Sequence, residues 1–349
     1  MNRRNLIKSL ITSSLALTSA SNVLASAGSA SVGALKPNRL KKGQTIGLIA
    51  PSSNTWENQD IYFAMDIVRS FGFKVEASDH LFDRTAYLAG QDKDRADDVN
   101  AMFADPDIDG IFCLRGGYGS PRILPYLDYD LIGQNPKVLL GYSDVTALLN
   151  AIYTRSNLIT FHGPIAKQSF TEYTLAEFKR VLLDPQKSMV LAAPPPFEAA
   201  EGQAEQDNRL TTIHAGQASG ALIGGNLSLM VKLVGSPYEP DYTGKILFLE
   251  DVEEAPYRVD GMLTHLKIAG RLEKLAGVVF GKCTGCGPGS GPSFSIEHVL
   301  QDRLGDLGVP VLSGVMIGHI EDMATIPVGA MASLDASKQT LTLDEAAVR

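Results

Sequence analysis

The sequence predicts an α/β protein with a parallel sheet in its first half. Between residues 42 and 149, short apolar runs alternate with amphipathic stretches of helical period, which is the pattern of βαβ units. Several of these runs end in loops rich in glycine and serine, where parallel sheets present functional groups. The second half is glycine-rich and favours β-structure. A chain of 349 residues with these two halves is expected to form two domains.

The strands and helices are predicted from the spacing of apolar residues and from the residues that interrupt that spacing. Apolar runs bounded by glycine or polar loops predict strands at residues 45–50, 110–114, 137–140 and 277–282. Helical spacing predicts helices at residues 61–71, 92–103, 145–153, 174–183, 227–234 and 259–269. A stretch rich in alanine, proline and polar residues separates the halves. The predicted organisation is an N-terminal domain at 40–183, a linker at 184–215 and a C-terminal domain at 216–349.

The first residues have the composition of an export signal. Arg3, Arg4 and Lys8 precede an apolar stretch, and Ala25-Ser26-Ala27 supplies small residues for cleavage, so we expect a signal peptide at residues 1–27. The paired arginines fit a twin-arginine signal, and ordinary secretion remains an alternative. The apolar stretch is too short to span a bilayer. We expect an exported, periplasmic protein without a membrane span, and cleavage would change its net charge from −8 to −11.

Charge and cysteine content exclude several classes of function. The net charge of −8, with no basic stripe, argues against a nucleic-acid partner. Cys283 and Cys286 have C-x-x-C spacing but no further soft ligands nearby, so no metal site is expected. They form either a local disulfide or two free thiols. The loop that begins at Arg115 lacks the Lys-Ser/Thr pair of a phosphate loop and the glycine order of a dinucleotide fold, so no cofactor is expected.

Three polar residues follow apolar runs and combine into a hydrolytic site. Ser143 lies at a strand-to-helix junction, Glu250 ends an apolar run, and His319 follows a glycine. A serine hydroxyl becomes nucleophilic when a histidine removes its proton and a carboxylate orients that histidine. We therefore expect hydrogen bonds from Ser143 to His319 and from His319 to Glu250. The backbone N–H of Asp144, and second that of Gly117, are the candidate donors to an oxyanion.

Other interpretations of these residues stay open at this point. Ser143 or Asp144 would also serve simply as a helix cap. The sequence does not choose between Glu250 and its neighbour Asp251, and His162 is a second histidine in a loop.

Six segments in order resemble the LD-carboxypeptidases, serine peptidases that also include the microcin C immunity proteins. The resemblance implies that Ser143 is the nucleophile, His319 the general base and Glu250 the third member of the triad. It also implies a flavodoxin-like parallel-sheet N-terminal domain, a mixed β-rich α/β C-terminal domain, a site between them and possibly a homodimer. The segments are residues 114–122, 141–144, 161–164, 224–228, 247–252 and 318–319.

The function that this resemblance implies is the release of terminal D-alanine from murein tetrapeptides. Arg115 is the nearest positive group to the expected oxyanion loop and is the candidate for binding the free carboxylate of the peptide. One alternative is a hydrolase of the microcin C immunity type that cleaves a peptide–nucleotide amide, which aromatic residues lining the cleft would favour. A second alternative is a non-catalytic periplasmic binding protein, which the presence of Ser143, Glu250 and His319 disfavours.

Overall fold

The computed structural model describes residues 33–349, so the predicted signal peptide lies outside the described residues. None of the helices in this range is long and apolar enough to cross a membrane. The strands are β1 (Thr45–Ile49), β2 (Lys74–Ala77), β3 (Gly110–Cys113), β4 (Val138–Gly141), β5 (Thr160–His162), β6 (Met189–Leu191), β7 (Thr211–His214), β8 (Gln217–Asn226), β9 (Ile246–Val252), β10 (Gly277–Thr284), β11 (Val311–Ser313), β12 (Ile326–Val328), β13 (Met331–Asp335) and β14 (Thr340–Leu343). The α-helices are α1 (Asn58–Ser70), α2 (Asp92–Ala104), α3 (Ser120–Ile123), α4 (Tyr129–Gln134), α5 (Thr146–Ser156), α6 (Glu172–Leu182), α7 (Leu227–Leu233), α8 (Pro256–Ile268) and α9 (Ile296–Leu304).

The first sheet has the predicted parallel architecture. Its parallel strands lie in the order β2-β1-β3-β4-β5, which is the order of flavodoxin-like folds. Strands β3 and β4 are buried along their whole length, because helices cover both faces of such a sheet. Strand β12, from the C-terminal part of the chain, pairs antiparallel with β5 and completes this sheet.

The second sheet is mixed, as the fold class requires. Its strand order is β6-β14-β13-β8-β9-β10-β11-β7. The central strands from β8 to β11 are parallel, and antiparallel strands flank them on both sides. The C-terminal ends of β8 and β9 lie together at one edge of the sheet, because Asn226 and Glu250 are register partners.

Residues 184–215, the predicted linker, contain two short strands. Strand β6 pairs with β14 and strand β7 pairs with β11, so they form the two edges of the second sheet. Each strand has only three or four residues, which is too short for a period-2 pattern to be recognised in the sequence. The chain therefore contributes to the second sheet before residue 216 and returns to the first sheet at β12.

The two faces of β9 pack into different cores. Ile246 and Phe248 belong to the large core that the two sheets share. Leu247 and Leu249 belong to a second core, formed between the sheet and helices α7, α8 and α9. Successive side chains of a strand point to opposite faces, so the next residue, Glu250, continues the face that is directed toward the first sheet.

A buried asparagine joins helix α5, which follows strand β4 of the first sheet, to strand β8 of the second sheet. Asn150 is fully buried, and its amide nitrogen donates to the carbonyl oxygens of Thr146 and Gly224, at 2.8 Å in each case. Its amide oxygen accepts from the backbone N–H of Gly224 at 3.2 Å. A Cβ at Gly224 would lie 1.8 Å from the carbonyl oxygen of Phe248, so the backbones approach closely here and only glycine fits.

We predict that Asn150→Ala lowers the free energy of unfolding by about 3 kcal/mol, because it leaves two buried backbone groups of Gly224 without partners. Urea denaturation followed by circular dichroism would measure the change. The matched control is Asn135→Ala, which removes one local hydrogen bond, to the Leu131 carbonyl oxygen. Equal loss of stability in the two variants would contradict this role of Asn150.

Candidate active site

Ser143 occupies a sharp turn between β4 and α5. The turn is a short 3₁₀ helix, Ser143–Val145, and the φ angle of Ser143 is +64°. Non-glycine residues rarely adopt this left-handed conformation, and it often marks functional sites. A Cβ on Gly116 would lie 2.8 Å from the Ser143 Cβ and 3.1 Å from its Oγ. A glycine at position 116 is therefore required for the loop after β3 to lie against the serine.

Asp144 anchors this turn through its side chain. Its buried carboxylate accepts hydrogen bonds from the Ser52 hydroxyl and from the Ser120 backbone N–H, both at 2.7 Å. The Ser120 hydroxyl also donates to the Asp144 carbonyl oxygen. These bonds join the turn to the loops after β1 and β3. Among the turn and loop hydrogen bonds of residues 33–349, none is donated by the Asp144 backbone N–H, so this group can serve a ligand.

His319 contacts both of its expected partners. Its Nε2 lies 3.0 Å from the Ser143 Oγ, and its Nδ1 lies 2.7 Å from the Glu250 Oε2. With the proton on Nδ1 directed to the carboxylate, Nε2 is free to accept the serine proton. Gly318 precedes the histidine with φ of +145°, and it packs against Lys282 at the end of β10. The hydrogen-bonded chain that the sequence predicts is therefore present.

The geometry also distinguishes Glu250 from Asp251. Glu250 has no exposed surface; burial raises the pKa of its carboxyl, and the hydrogen bond with His319 opposes that rise. Asp251 points to the other face of β9, where it accepts from the Asn226 amide at 2.9 Å and from the Ser228 hydroxyl at 2.8 Å. Asp251 thus fixes the start of α7 and has no contact with the histidine.

His162, the other histidine considered for the site, is a core residue. Its ring is fully buried and lies edge-on to Tyr142 and Phe248, with ring centroids 6.0 and 5.4 Å away. Neither ring nitrogen has a hydrogen-bond partner among residues 33–349. Burial, with a smaller contribution from His319, lowers the pKa of His162 to about 3, so this ring is neutral at physiological pH.

The loop that carries Arg115 and Gly117 borders the site. The Arg115 Nη1 donates to the Asn54 carbonyl oxygen at 2.9 Å, and the described residues give Arg115 no acidic partner. Gly117 has φ of +110°, and a Cβ there would meet the Ser53 hydroxyl at 2.5 Å. Gly116, not Gly117, is the glycine directly against Ser143. The sequence signal that would have identified it is the pair of adjacent glycines after a strand.

The cysteines lie close to this site without taking part in it. Cys283, the register partner of Asp251 on β10, forms a disulfide with Cys286. Cys113 is buried at the end of β3 below Gly141. Of the two arrangements considered for Cys283 and Cys286, the structure has the disulfide.

Comparison with known proteins identifies relatives that span most of the chain. The profile of the LD-carboxypeptidase N-terminal domain matches residues 46–163, and that of the C-terminal domain matches residues 219–334. A probable murein peptide carboxypeptidase of Bacillus subtilis is 35% identical, over 88% of this chain and 94% of its own. The murein tetrapeptide carboxypeptidase of Pseudomonas aeruginosa is 30% identical, over 84% and 94%.

A solved structure shows the same similarity at the level of the fold. The microcin C7 self-immunity protein MccF, in complex with aspartyl sulfamoyl adenosine, superposes with a TM-score of 0.80 at 27% identity. The match covers 90% of this chain and all of that structure.

We predict that His162 makes the fold sensitive to acid. Its pKa is lowered in the folded state, so the unfolded state binds the proton more tightly, and stability is lost as pH falls from about 6.5 toward 3. Between pH 7 and pH 5 this one group should cost about 2 kcal/mol of unfolding free energy.

The variant His162→Phe should remove that contribution, which urea denaturation at the two pH values would measure. The matched control is His298→Phe, at an exposed position of α9. A His162→Phe protein that loses as much stability between pH 7 and pH 5 as the unchanged protein would contradict the prediction.

Proposed function

This chain belongs to the LD-carboxypeptidase family, a family of serine peptidases, and we propose that it releases the terminal D-alanine from murein tetrapeptides. The observation that carries the proposal is the hydrogen-bonded chain from Ser143 through His319 to the buried Glu250. In this proposal the three residues form the catalytic triad.

The proposed reaction begins when His319 removes the Ser143 proton through Nε2. The serine oxygen attacks the carbonyl carbon of the bond before D-alanine, and Glu250 stabilises the imidazolium that forms. The N–H of Asp144 and the glycine loop at residues 116–117 would bind the oxyanion. His319 then protonates the leaving amine, and a water molecule hydrolyses the acyl-enzyme by the same route in reverse.

The proposed setting is the periplasm, and the proposed substrate is a murein peptide. The composition of residues 1–27 supports export, and the disulfide between Cys283 and Cys286 is consistent with an oxidising compartment. The two curated relatives described above are named for murein peptides. We propose no nucleic-acid partner and no resident cofactor. We also propose a homodimer, which rests on the family resemblance.

A second candidate is cleavage of a peptide–nucleotide amide. The observation that favours it is a group of exposed aromatic side chains, Trp56, Tyr87 and Tyr118, near Arg115. The similar MccF structure contains aspartyl sulfamoyl adenosine. Mass spectrometry after incubation with defined murein tri-, tetra- and pentapeptides, and with that adenosine compound, would distinguish the two functions.

We predict that Ser143→Ala lowers kcat on a murein tetrapeptide by at least about 10³-fold while the protein stays folded, because within residues 33–349 the hydroxyl of Ser143 is the nucleophile hydrogen-bonded to His319. Released D-alanine, measured by mass spectrometry, gives the rate, and circular dichroism gives the fold. The control is Ser70→Ala, which removes an exposed hydroxyl at the end of α1 that donates to the Ile67 carbonyl oxygen. Turnover near the unchanged rate in Ser143→Ala would refute the assignment.

We predict that the enzyme prefers a tetrapeptide with a free C-terminal acid over its C-terminal amide by about 100-fold in kcat/KM. The reason is that Arg115, which has no acidic partner among the described residues, would pair with the carboxylate. Arg115→Ala should reduce this ratio about tenfold, whereas Arg258→Ala, an exposed arginine beyond β9, should preserve it. Equal rates on the acid and the amide would indicate a general amidase.

A further inference from the structure

The segments that follow β1, β2 and β3 line a cleft near Ser143. The cleft has a volume of about 410 Å³, and Ser53, Trp56, Tyr87 and Arg115 are among its lining residues. Ser53 connects the cleft to the site, because its hydroxyl accepts from the Tyr118 N–H at 3.0 Å and its N–H donates to the Gly116 carbonyl oxygen. Gly116 in turn lies against Ser143. The cleft therefore borders the glycine loop that lies against the serine.

The charges of the cleft suit a ligand with a single carboxylate. Its lining among residues 33–349 contains no acidic residue, although the chain as a whole carries a net charge of −8. Its two arginines differ in how far they are engaged. Arg84 directs three nitrogens at the Thr55 and Phe82 carbonyl oxygens and the Asn58 side chain, whereas Arg115 makes one hydrogen bond, to the Asn54 carbonyl oxygen. Arg115 is therefore the group that can receive an anion.

The cleft presents more apolar surface than the side chain of alanine can cover. Trp56 is 94% exposed and Tyr87 is 60% exposed, and the Tyr87 ring packs edge-on against Tyr118 with centroids 5.5 Å apart. Two open aromatic faces beside a guanidinium fit a ring attached to a carboxylate-bearing carbon. The single methyl group of D-alanine would contact neither face fully.

We propose that this cleft receives the leaving residue and that the enzyme accepts terminal D-amino acids with large aromatic side chains, in addition to D-alanine. The inference rests on the proposed function, since it concerns the same reaction at the same serine. Water is the co-substrate: the amide C–N bond breaks, the tripeptide keeps the carbonyl as a carboxylate, and the free D-amino acid leaves with the amine. Arg115 would bind its carboxylate, and Trp56 and Tyr87 would contact its side chain.

The experiment compares two synthetic tetrapeptides that differ only in the last residue, D-alanine or D-tryptophan, both as free acids. The mature protein should hydrolyse the D-tryptophan peptide with kcat/KM within tenfold of the D-alanine peptide or higher, mainly through a lower KM. Trp56→Ala and Tyr87→Ala should each lower the D-tryptophan to D-alanine ratio of kcat/KM about tenfold. Both side chains are exposed, so these variants should fold. Tyr257→Ala, which is 70% exposed at the start of α8, is the control and should leave the ratio unchanged.

Several results would overturn the inference. Rejection of the D-tryptophan peptide by more than about 100-fold, with normal release of D-alanine, would overturn it and leave the proposed function intact. The same would follow if Trp56→Ala lowered both rates equally. Hydrolysis of neither peptide would refute the proposed function and the inference with it. Preference for aspartyl sulfamoyl adenosine over both peptides would assign the aromatic cleft to a nucleobase instead.

Discussion

A carboxylate without exposed surface imposes the main constraint on this structure. Glu250 is buried at the end of β9, and a buried charge is costly unless a partner satisfies it. The partner is His319, 2.7 Å away, so the loop that carries the histidine has to close over the end of the strand. The alternation of side chains along β9 that buries Ile246 and Phe248 against the first sheet also directs Glu250 toward that sheet, which lies on the side of Ser143. The core and the site therefore depend on one strand register.

The serine is held by a different set of forces. Its left-handed backbone is unfavourable by about 1–3 kcal/mol for a residue with a side chain, and the buried Asp144 carboxylate offsets that cost with two hydrogen bonds. Because those bonds reach the loops after β1 and β3, the same contacts that hold the turn also align Gly116 and the cleft beside it. The position of Ser143 and the shape of the neighbouring cleft are thus physically linked.

The sequence was sufficient to predict those strands and helices that local residue patterns determine. Each predicted strand and helix has a counterpart, because long apolar runs and helical spacing persist in the fold. Strands β2 and β5 were not predicted, since four and three residues are too few for a period-2 pattern to be recognised. Glu250 could not be distinguished from Asp251, because that choice depends on which face of β9 meets the first sheet. The proximity of Gly116 to Ser143 depends likewise on packing between loops distant in sequence.

The return of the chain to the first sheet at β12 affects the stage of folding at which the first sheet can be completed. Strand β5 has an open edge until β12 pairs with it, and β12 lies close to the C-terminal end. Synthesis delivers the chain from the N-terminus, so Ser143 emerges 176 residues before His319. A partial chain that lacks these residues holds the serine without its histidine partner and the first sheet without its last strand. Completion of the first sheet and assembly of the histidine with the serine thus belong to the same stage of folding, after β12 and the loop before it have been made.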